Sequence, residues 1–220
     1  MELILAEKPS AARNFAKALG GKTGNYAGTE YKITNLRGHV MGLLPPDKQV
    51  PTEKVEFYKS WDLENLPWNL NDFAWKKGIL SGCKDIISGL KDELKEADCV
   101  VIATDVDPSG EGELLAWEAL EKCGWRGPTK RMYFADEAPA SVQKAFRERK
   151  TLPSMDKDGD YVKAVVRERW DLASMQFTRA ATLVARKKGF RTVVRQGRLK
   201  SVMVKLTGDQ LKAYNEYVRK

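Results

Sequence analysis

Apolar residues along the chain come in short unbroken runs, each followed by a change of period. Leu3-Ile4-Leu5-Ala6 is one and Val100-Val101-Ile102-Ala103 another. Neither alternates apolar with polar, so each predicts a strand buried on both faces. After the first run, Pro9-Ser10 opens an amphipathic helix to about Leu19, stopped by Gly20-Gly21. Residues 32–36 predict a strand leading to Arg37-Gly38-His39, residues 79–97 have helical spacing, and residues 111–123 form a helix with Leu114, Leu115, Ala116 and Leu120 inward. A strand at 131–134 and a helix at 139–149 follow. Strands and helices thus alternate through residues 1–150, which predicts an α/β domain on a parallel sheet flanked by helices.

Residues 151–160 break every period and are the expected linker. Residues 161–188 contain no Gly or Pro and predict one long helix. Its spacing lines Arg167, Asp171, Ser174 and Thr178 on a polar stripe and puts Val162, Val166, Ala173, Phe177 and Ala180 on a packed side. Gly189 ends it, and residues 201–217 form a second helix, so 161–220 is expected to be a mainly helical segment. Residues 56–77 concentrate Phe57, Tyr58, Trp61, Trp68, Phe73 and Trp75 around Pro67. A loop-rich patch packed on the core is preferred there to a base-stacking surface.

An apolar content of 42% in 220 residues supports a core for one large domain or two. No run approaches the ~18 apolar residues of a membrane span, and Met1-Glu2-Leu3 lacks the basic start of a signal peptide. A cytoplasmic protein without membrane partners is expected. Cys83, Cys99 and Cys123 are odd in number and far apart, which supports neither a disulfide framework nor a zinc site. The formal charge is +8, unevenly spread: residues 161–220 hold 15 Lys/Arg against 4 Asp/Glu, and residues 1–160 hold 23 against 26. A basic segment joined to a mildly acidic one suits a polyanion such as nucleic acid.

The candidate chemistry sits at strand ends. The run at 100–103 stops at Thr104-Asp105-Val106-Asp107, passes Pro108-Ser109-Gly110 and restarts with Glu111-Gly112-Glu113. In open α/β sheets ligands gather beyond the carboxyl ends of strands. Carboxylates crowded there repel, and a divalent cation with oxygen ligands, Mg²⁺, keeps them ionised together. The competing reading is a helix start whose glutamates complement the helix dipole. Glu7 and Lys8 end the first run in the same manner. If the two strands are neighbours, Glu7 can serve as general acid or base beside the metal and Lys8 can hold a phosphate. His39, the only histidine, follows another strand end and is either structural or part of the site.

Leu5-Ala6-Glu7-Lys8-Pro9-Ser10, Gly38-His39, Ala103-Thr104-Asp105-x-Asp107 with Glu111-Gly112-Glu113, Arg131-x-x-Phe134, Thr178-Arg179 and Gly197-Arg198 stand in the order found in type IA DNA topoisomerases, which the chain resembles from end to end. The resemblance implies a Toprim-like, Rossmann-type domain at 1–150 and the first, helical part of a DNA-binding domain at 161–220. It implies Glu7 and Lys8 as catalytic residues, with Lys8 on the scissile phosphate. Mg²⁺ would be held by Glu7, Asp105, Asp107 and Glu111, and single-stranded DNA by Lys8, Arg167, Thr178, Arg179, Gln196 and Arg198.

Several residues depart from the family pattern. Ser109-Gly110 add two residues before Glu111, so either Glu111 or Glu113 is the third acid. Gln176 stands where an asparagine is usual, and Trp170-Asp171 reverses a familiar order. The family's nucleophilic tyrosine belongs to a later domain, and Tyr214 and Tyr217 do not sit in its motif. The expectation is a truncated or split topoisomerase whose remaining domains join in cis or trans, unable to relax DNA by itself. The alternatives are a stand-alone Toprim nuclease or primase-like protein, and a single-strand-binding accessory subunit.

Overall fold

The structure is a computed structural model that describes residues 1–218. In chain order its elements are β1 (Glu2–Ala6), α1 (Pro9–Leu19), β2 (Thr23–Tyr26), β3 (Thr29–Asn35), β4 (Met41–Leu43), α2 (Val55–Lys59), β5 (Lys77–Ile79), α3 (Lys84–Glu93), β6 (Cys99–Ala103), α4 (Glu111–Cys123), β7 (Thr129–Arg131), α5 (Pro139–Arg147), β8 (Lys150–Thr151), α6 (Gly159–Lys187) and α7 (Arg198–Val218). Six strands form one sheet in the order β2-β3-β1-β6-β7-β8. The inner four are parallel, and the edge strands β2 and β8 run antiparallel to their neighbours. All five residues of β1 and of β6 are buried, as runs without alternation require. One face of the sheet packs Leu3, Leu5, Val100 and Ile102 under α3 and α4. The other packs Ile4, Val101 and Ala103 under α1 and α5.

Several boundaries move from expectation for local reasons. Gly82, at φ 76°, turns the chain between β5 and α3, so the helix expected at 79–97 starts only at Lys84. The strand expected at 131–134 is Thr129–Arg131, set by its register with Val100–Ile102. Residues 151–160 are not a bare linker: Thr151 pairs with Lys130, and α6 begins at Gly159.

The chain divides into two compact units, residues 1–43 with 77–168 and residues 44–76 with 169–220. The second therefore draws on an excursion that leaves after β4 and returns at β5, which pair with each other antiparallel. The formal charge follows this division: the first unit has 21 Lys/Arg and 21 Asp/Glu, the second 17 and 9.

Within the second unit the excursion packs on α6 through arginines laid over tryptophans. Arg169 lies 5.1 Å from the centre of Trp75, Arg179 4.7 Å from Trp68 and 5.5 Å from Trp61, and Arg186 5.7 Å from Trp61. Gln176 accepts the Trp68 backbone N–H at 3.0 Å. These residues share one broad face of α6, with Leu172, Ala173 and Thr182 buried beside them. The aromatic patch thus packs as expected through Tyr58, Trp68 and Phe73, while Phe57 and Trp61 stay exposed. The packed side expected for the long helix is corrected. Val162, Val166 and Phe177 are exposed, and in the second unit Gln176 and Arg179 lie on the inner face where Phe177 was expected. No residue of α7 is buried. Among the described residues no helix is long and apolar enough to cross a membrane.

Two arginines expected to bind DNA differ in a way that stability measurements can read. Arg179 is 7% exposed and donates to the Tyr58 and Ser60 carbonyls at 2.6 and 3.1 Å, whereas Arg198 makes an exposed pair with Asp171 at 2.8 Å. Arg179→Ala is expected to cost about 2–4 kcal/mol in urea unfolding, and Arg198→Ala less than about 1 kcal/mol. Equal losses would contradict this packing.

Candidate active site at the strand tips

β1 and β6 run in register, Ala6 opposite Ala103, so the residues just beyond leave the sheet side by side. Glu7 Oε2 accepts the Asp105 backbone N–H at 3.1 Å, and Lys8 Nζ donates to Asp105 Oδ2 at 3.3 Å. From the other neighbour of β1, the Leu36 and Gly38 N–H groups donate to the Ala6 and Glu7 carbonyls, each at 2.9 Å. Gly38 takes φ 77°, a turn that suits glycine and sends the chain on to His39. His39 Nε2 lies 2.8 Å from Glu111 Oε1, and Arg167 Nη1 lies 2.9 Å from Glu111 Oε2.

The acidic loop is built from beneath by one buried arginine. The Arg131 side chain is fully buried and donates to the Thr104 carbonyl at 2.7 Å, to the Asp105 carbonyl at 3.1 Å and to Glu113 Oε1 at 2.6 Å. Thr104 Oγ1 donates to the Gly112 carbonyl at 2.8 Å. A Cβ at position 112 would fall 2.2 Å from the Asp105 carbonyl oxygen, so only glycine lets α4 start this close to the strand tip. Glu113 is therefore a structural partner of Arg131, and Glu111 is the glutamate held by His39 and Arg167.

Charge in the site is balanced pair by pair. Burial raises the Glu7 carboxyl above the usual glutamate range; the negative Asp105 and Glu111 add to this, against the Asp105 N–H and Lys8. The hydrogen bond to Asp105 raises Lys8. Burial works against the Asp107 carboxylate, yet hydrogen bonds from Ser109 and from the N–H groups opening α4 hold it below the usual range. Its Oδ1 accepts the Ser109 N–H at 2.8 Å and Oδ2 the Gly112 N–H at 3.3 Å, so Asp107 caps the helix. The hydrogen bond from His39, opposed by burial and helped by Arg167, lowers Glu111.

Among the described residues no three acidic, histidine or cysteine side chains converge closely enough to form a ready metal cage. The donor chemistry nevertheless fits Mg²⁺. The side chains are oxygen donors, and Glu7 feels the charges of both Asp105 and Glu111. A metal held by Asp107 or Glu111 would first have to replace their present hydrogen-bond partners.

Of the residues expected in the site, Glu7, Lys8 and Asp105 meet at the strand tips; Asp107 and Glu111 stand on the loop and helix start that follow β6, and Arg167 joins Glu111 and the hydroxyl of Ser109. Thr178, Arg179, Gln196 and Arg198 belong to the second unit. There Thr178 Oγ1 accepts the Gln196 backbone N–H at 3.1 Å. Arg131 was in the family motif but without a role; its only sequence signal was a charge inside a strand. The signal for His39 is its place just beyond β3, the parallel neighbour of β1.

A family comparison matches the Toprim domain to residues 2–136. The chain belongs to the Toprim family. Among its relatives, DNA topoisomerase 3 of Staphylococcus epidermidis is 30% identical over 151 residues, 67% of this chain and 20% of the relative. DNA topoisomerase 3 of Bacillus subtilis is 30% identical over 184 residues, 82% of this chain and 24% of the relative. A solved structure, full-length topoisomerase I from Thermotoga maritima, aligns with TM-score 0.48 and 23% identity over 68% of this chain and 21% of its own. The chain thus spans about a fifth to a quarter of the length of these curated relatives.

Two outcomes test this Toprim site without any ligand. Arg131→Met leaves Glu113 charged and buried and is expected to cost about 3–5 kcal/mol in thermal or urea unfolding. Glu7→Gln is expected to stabilise the chain at neutral pH in chelator-treated buffer, since the native state disfavours the ionised carboxyl. That gain should vanish below about pH 4.5, where Glu7 is protonated in both native and unfolded chains. A Glu7→Gln variant less stable than the parent at pH 7 would contradict the raised carboxyl.

Proposed function

We propose that this chain supplies the Toprim part of a type IA DNA topoisomerase, a cytoplasmic enzyme that cuts and rejoins single-stranded DNA with Mg²⁺. The observation that carries the proposal is the Glu7-Lys8 pair at the tip of β1, both side chains meeting Asp105. A carboxyl raised above the usual glutamate range beside a lysine suits acid–base work at a phosphodiester. The topoisomerase 3 relatives point to the same chemistry, and the basic second unit suits a nucleic acid backbone.

In this reading Lys8 holds a non-bridging oxygen of the scissile phosphate, exchanging its bond to Asp105 for one to the phosphate. A tyrosine hydroxyl from another domain, in cis or in trans, gives its proton to solvent and attacks phosphorus, and the bond to the 3′ oxygen breaks, leaving a 5′-phosphotyrosyl link. Protonated Glu7 gives its proton to the departing 3′ oxygen. On religation the 3′ hydroxyl attacks phosphorus, Glu7 takes the proton back, and the tyrosine oxygen leaves and takes a proton from solvent. Bound Mg²⁺ would supply charge neutralisation and a fixed phosphate geometry. Glu7 and Asp105 would hold it, joined by Asp107 and Glu111 once these give up Ser109 and Gly112, and His39 and Arg167. Arg167 would then be free to meet DNA, and Arg198 can do so by leaving Asp171.

The test is a melting series in Mg²⁺. The melting temperature of the parent is expected to rise with the logarithm of Mg²⁺ concentration, and the Glu7→Gln, Asp105→Asn double variant to lose that rise. A double variant that responds like the parent would refute the metal assignment. For the nucleic acid, anisotropy of a labelled oligonucleotide should show affinity falling with salt, and Arg198→Ala should flatten the log–log slope by about 0.7. Mg²⁺-dependent nicking of DNA by the chain without a covalent adduct would point to a Toprim nuclease instead.

A further inference from the structure

The second unit carries an arrangement that its fold does not require. Trp61 is 41% exposed although two guanidinium groups reach its ring, Arg179 at 5.5 Å and Arg186 at 5.7 Å. The two arginines are not equivalent. Arg179 is buried, held by the Tyr58 and Ser60 carbonyls, and also covers Trp68 at 4.7 Å. Arg186 is exposed, and the described residues show no carboxylate within salt-bridge distance of it. Phe57, 43% exposed, lies four residues away, with its ring 5.3 Å from that of Tyr58. The buried neighbours Tyr58, Trp68 and Phe73 already form a closed aromatic packing, with ring centres 5.5–6.1 Å apart. Trp61 therefore adds little to that core. It remains a partly exposed indole with a buried arginine and an exposed one within reach of its ring.

We infer that Trp61 is a base-stacking platform for single-stranded DNA, with Arg186 taking the adjoining phosphate. Every base offers a π face to an indole, and aromatic stacking beside a cation binds single strands with little regard to sequence. Two further facts favour this occupant over an apolar protein surface. The platform sits in the unit that holds all of the chain's net positive charge, and Arg186 is followed in sequence by Lys187 and Lys188, which are exposed. A duplex would not serve, because its bases already stack on one another and turn only their edges outward. The inference rests on the proposal that the chain binds single-stranded DNA, and it names where in the second unit a base is held.

The test is a cycle of anisotropy titrations with a labelled oligothymidine and the same oligomer carrying abasic positions. Trp61→Ala is expected to bind the intact oligomer roughly 5- to 100-fold more weakly than the parent, and Trp61→Phe to retain most of the affinity. On the fully abasic strand, parent and Trp61→Ala should bind alike, because no base is left to stack. Arg186→Ala should weaken both strands and flatten the salt dependence by about 0.7 in slope. Should Trp61→Ala fail to fold by its melting curve, the parent and Trp61→Phe still decide: the abasic strand must bind both far less tightly than the intact one. Intact-strand affinity unchanged in Trp61→Ala, or an equal loss on the abasic strand, overturns the platform while leaving strand binding in place. No binding by the parent to either strand removes the DNA proposal and the platform together.

Discussion

Adjacent parallel strands with Ala6 opposite Ala103 oblige two acidic tips to leave the sheet together, and the first unit is arranged around that repulsion. The sheet cannot relieve it by slipping, since β1 and β6 are buried on both faces and a one-residue shift would send every side chain to the opposite layer. Relief comes from cations and donors placed around the tips. Lys8 meets Asp105, His39 and Arg167 hold the two oxygens of Glu111, and the amides opening α4 hold Asp107. Arg131 does the complementary work from below: it gathers the carbonyls of Thr104 and Asp105, so the loop keeps its path while its carboxylates face outward. Glu7 and Asp107 keep no cationic partner within salt-bridge distance among the described residues, and of these two it is Glu7 whose carboxyl is raised.

The second unit meets charge in the opposite way. Its excess of lysine and arginine is partly built into the packing, with Arg179 spread over Trp68 and Trp61 where another helix would use leucine. An arginine used in this way is poorly available to a phosphate. The basic character of a segment is therefore a weaker guide to its DNA contacts than the exposure of each guanidinium, which separates Arg179 from Arg186 and Arg198.

Much of the sheet and of the strand-tip site was legible because buried strands and Gly-Pro punctuation leave local signals. The four carboxylates and Lys8 lie next to such signals. Other features depend on contacts between residues distant in sequence. The pairing of Arg131 with Glu113 could not be read from a strand position that also suited an exposed charge. The grouping of residues 44–76 with the later helix follows from cation–π contacts that span about a hundred residues and leave no periodic mark. The apolar spacing of Val162, Val166 and Phe177 pointed to the wrong face of α6, and at Phe177 the reason is the same. The extra Ser109-Gly110 cast doubt on Glu111, yet the longer turn still brings Glu111 to His39 and Arg167, because Gly112 lets α4 start against the Asp105 carbonyl.

The central claim is that a divalent cation and the scissile phosphate meet at the tips of β1 and β6. Amide spectra of the ¹⁵N-labelled chain during titration with Mn²⁺, a paramagnetic stand-in for Mg²⁺, measure this most directly. The account predicts that the amides of Glu7, Lys8, Thr104 and Asp105 broaden first and together, and that excess Mg²⁺ restores them. Broadening that begins elsewhere, or that spreads evenly over the acidic surface while these four stay sharp, would contradict it.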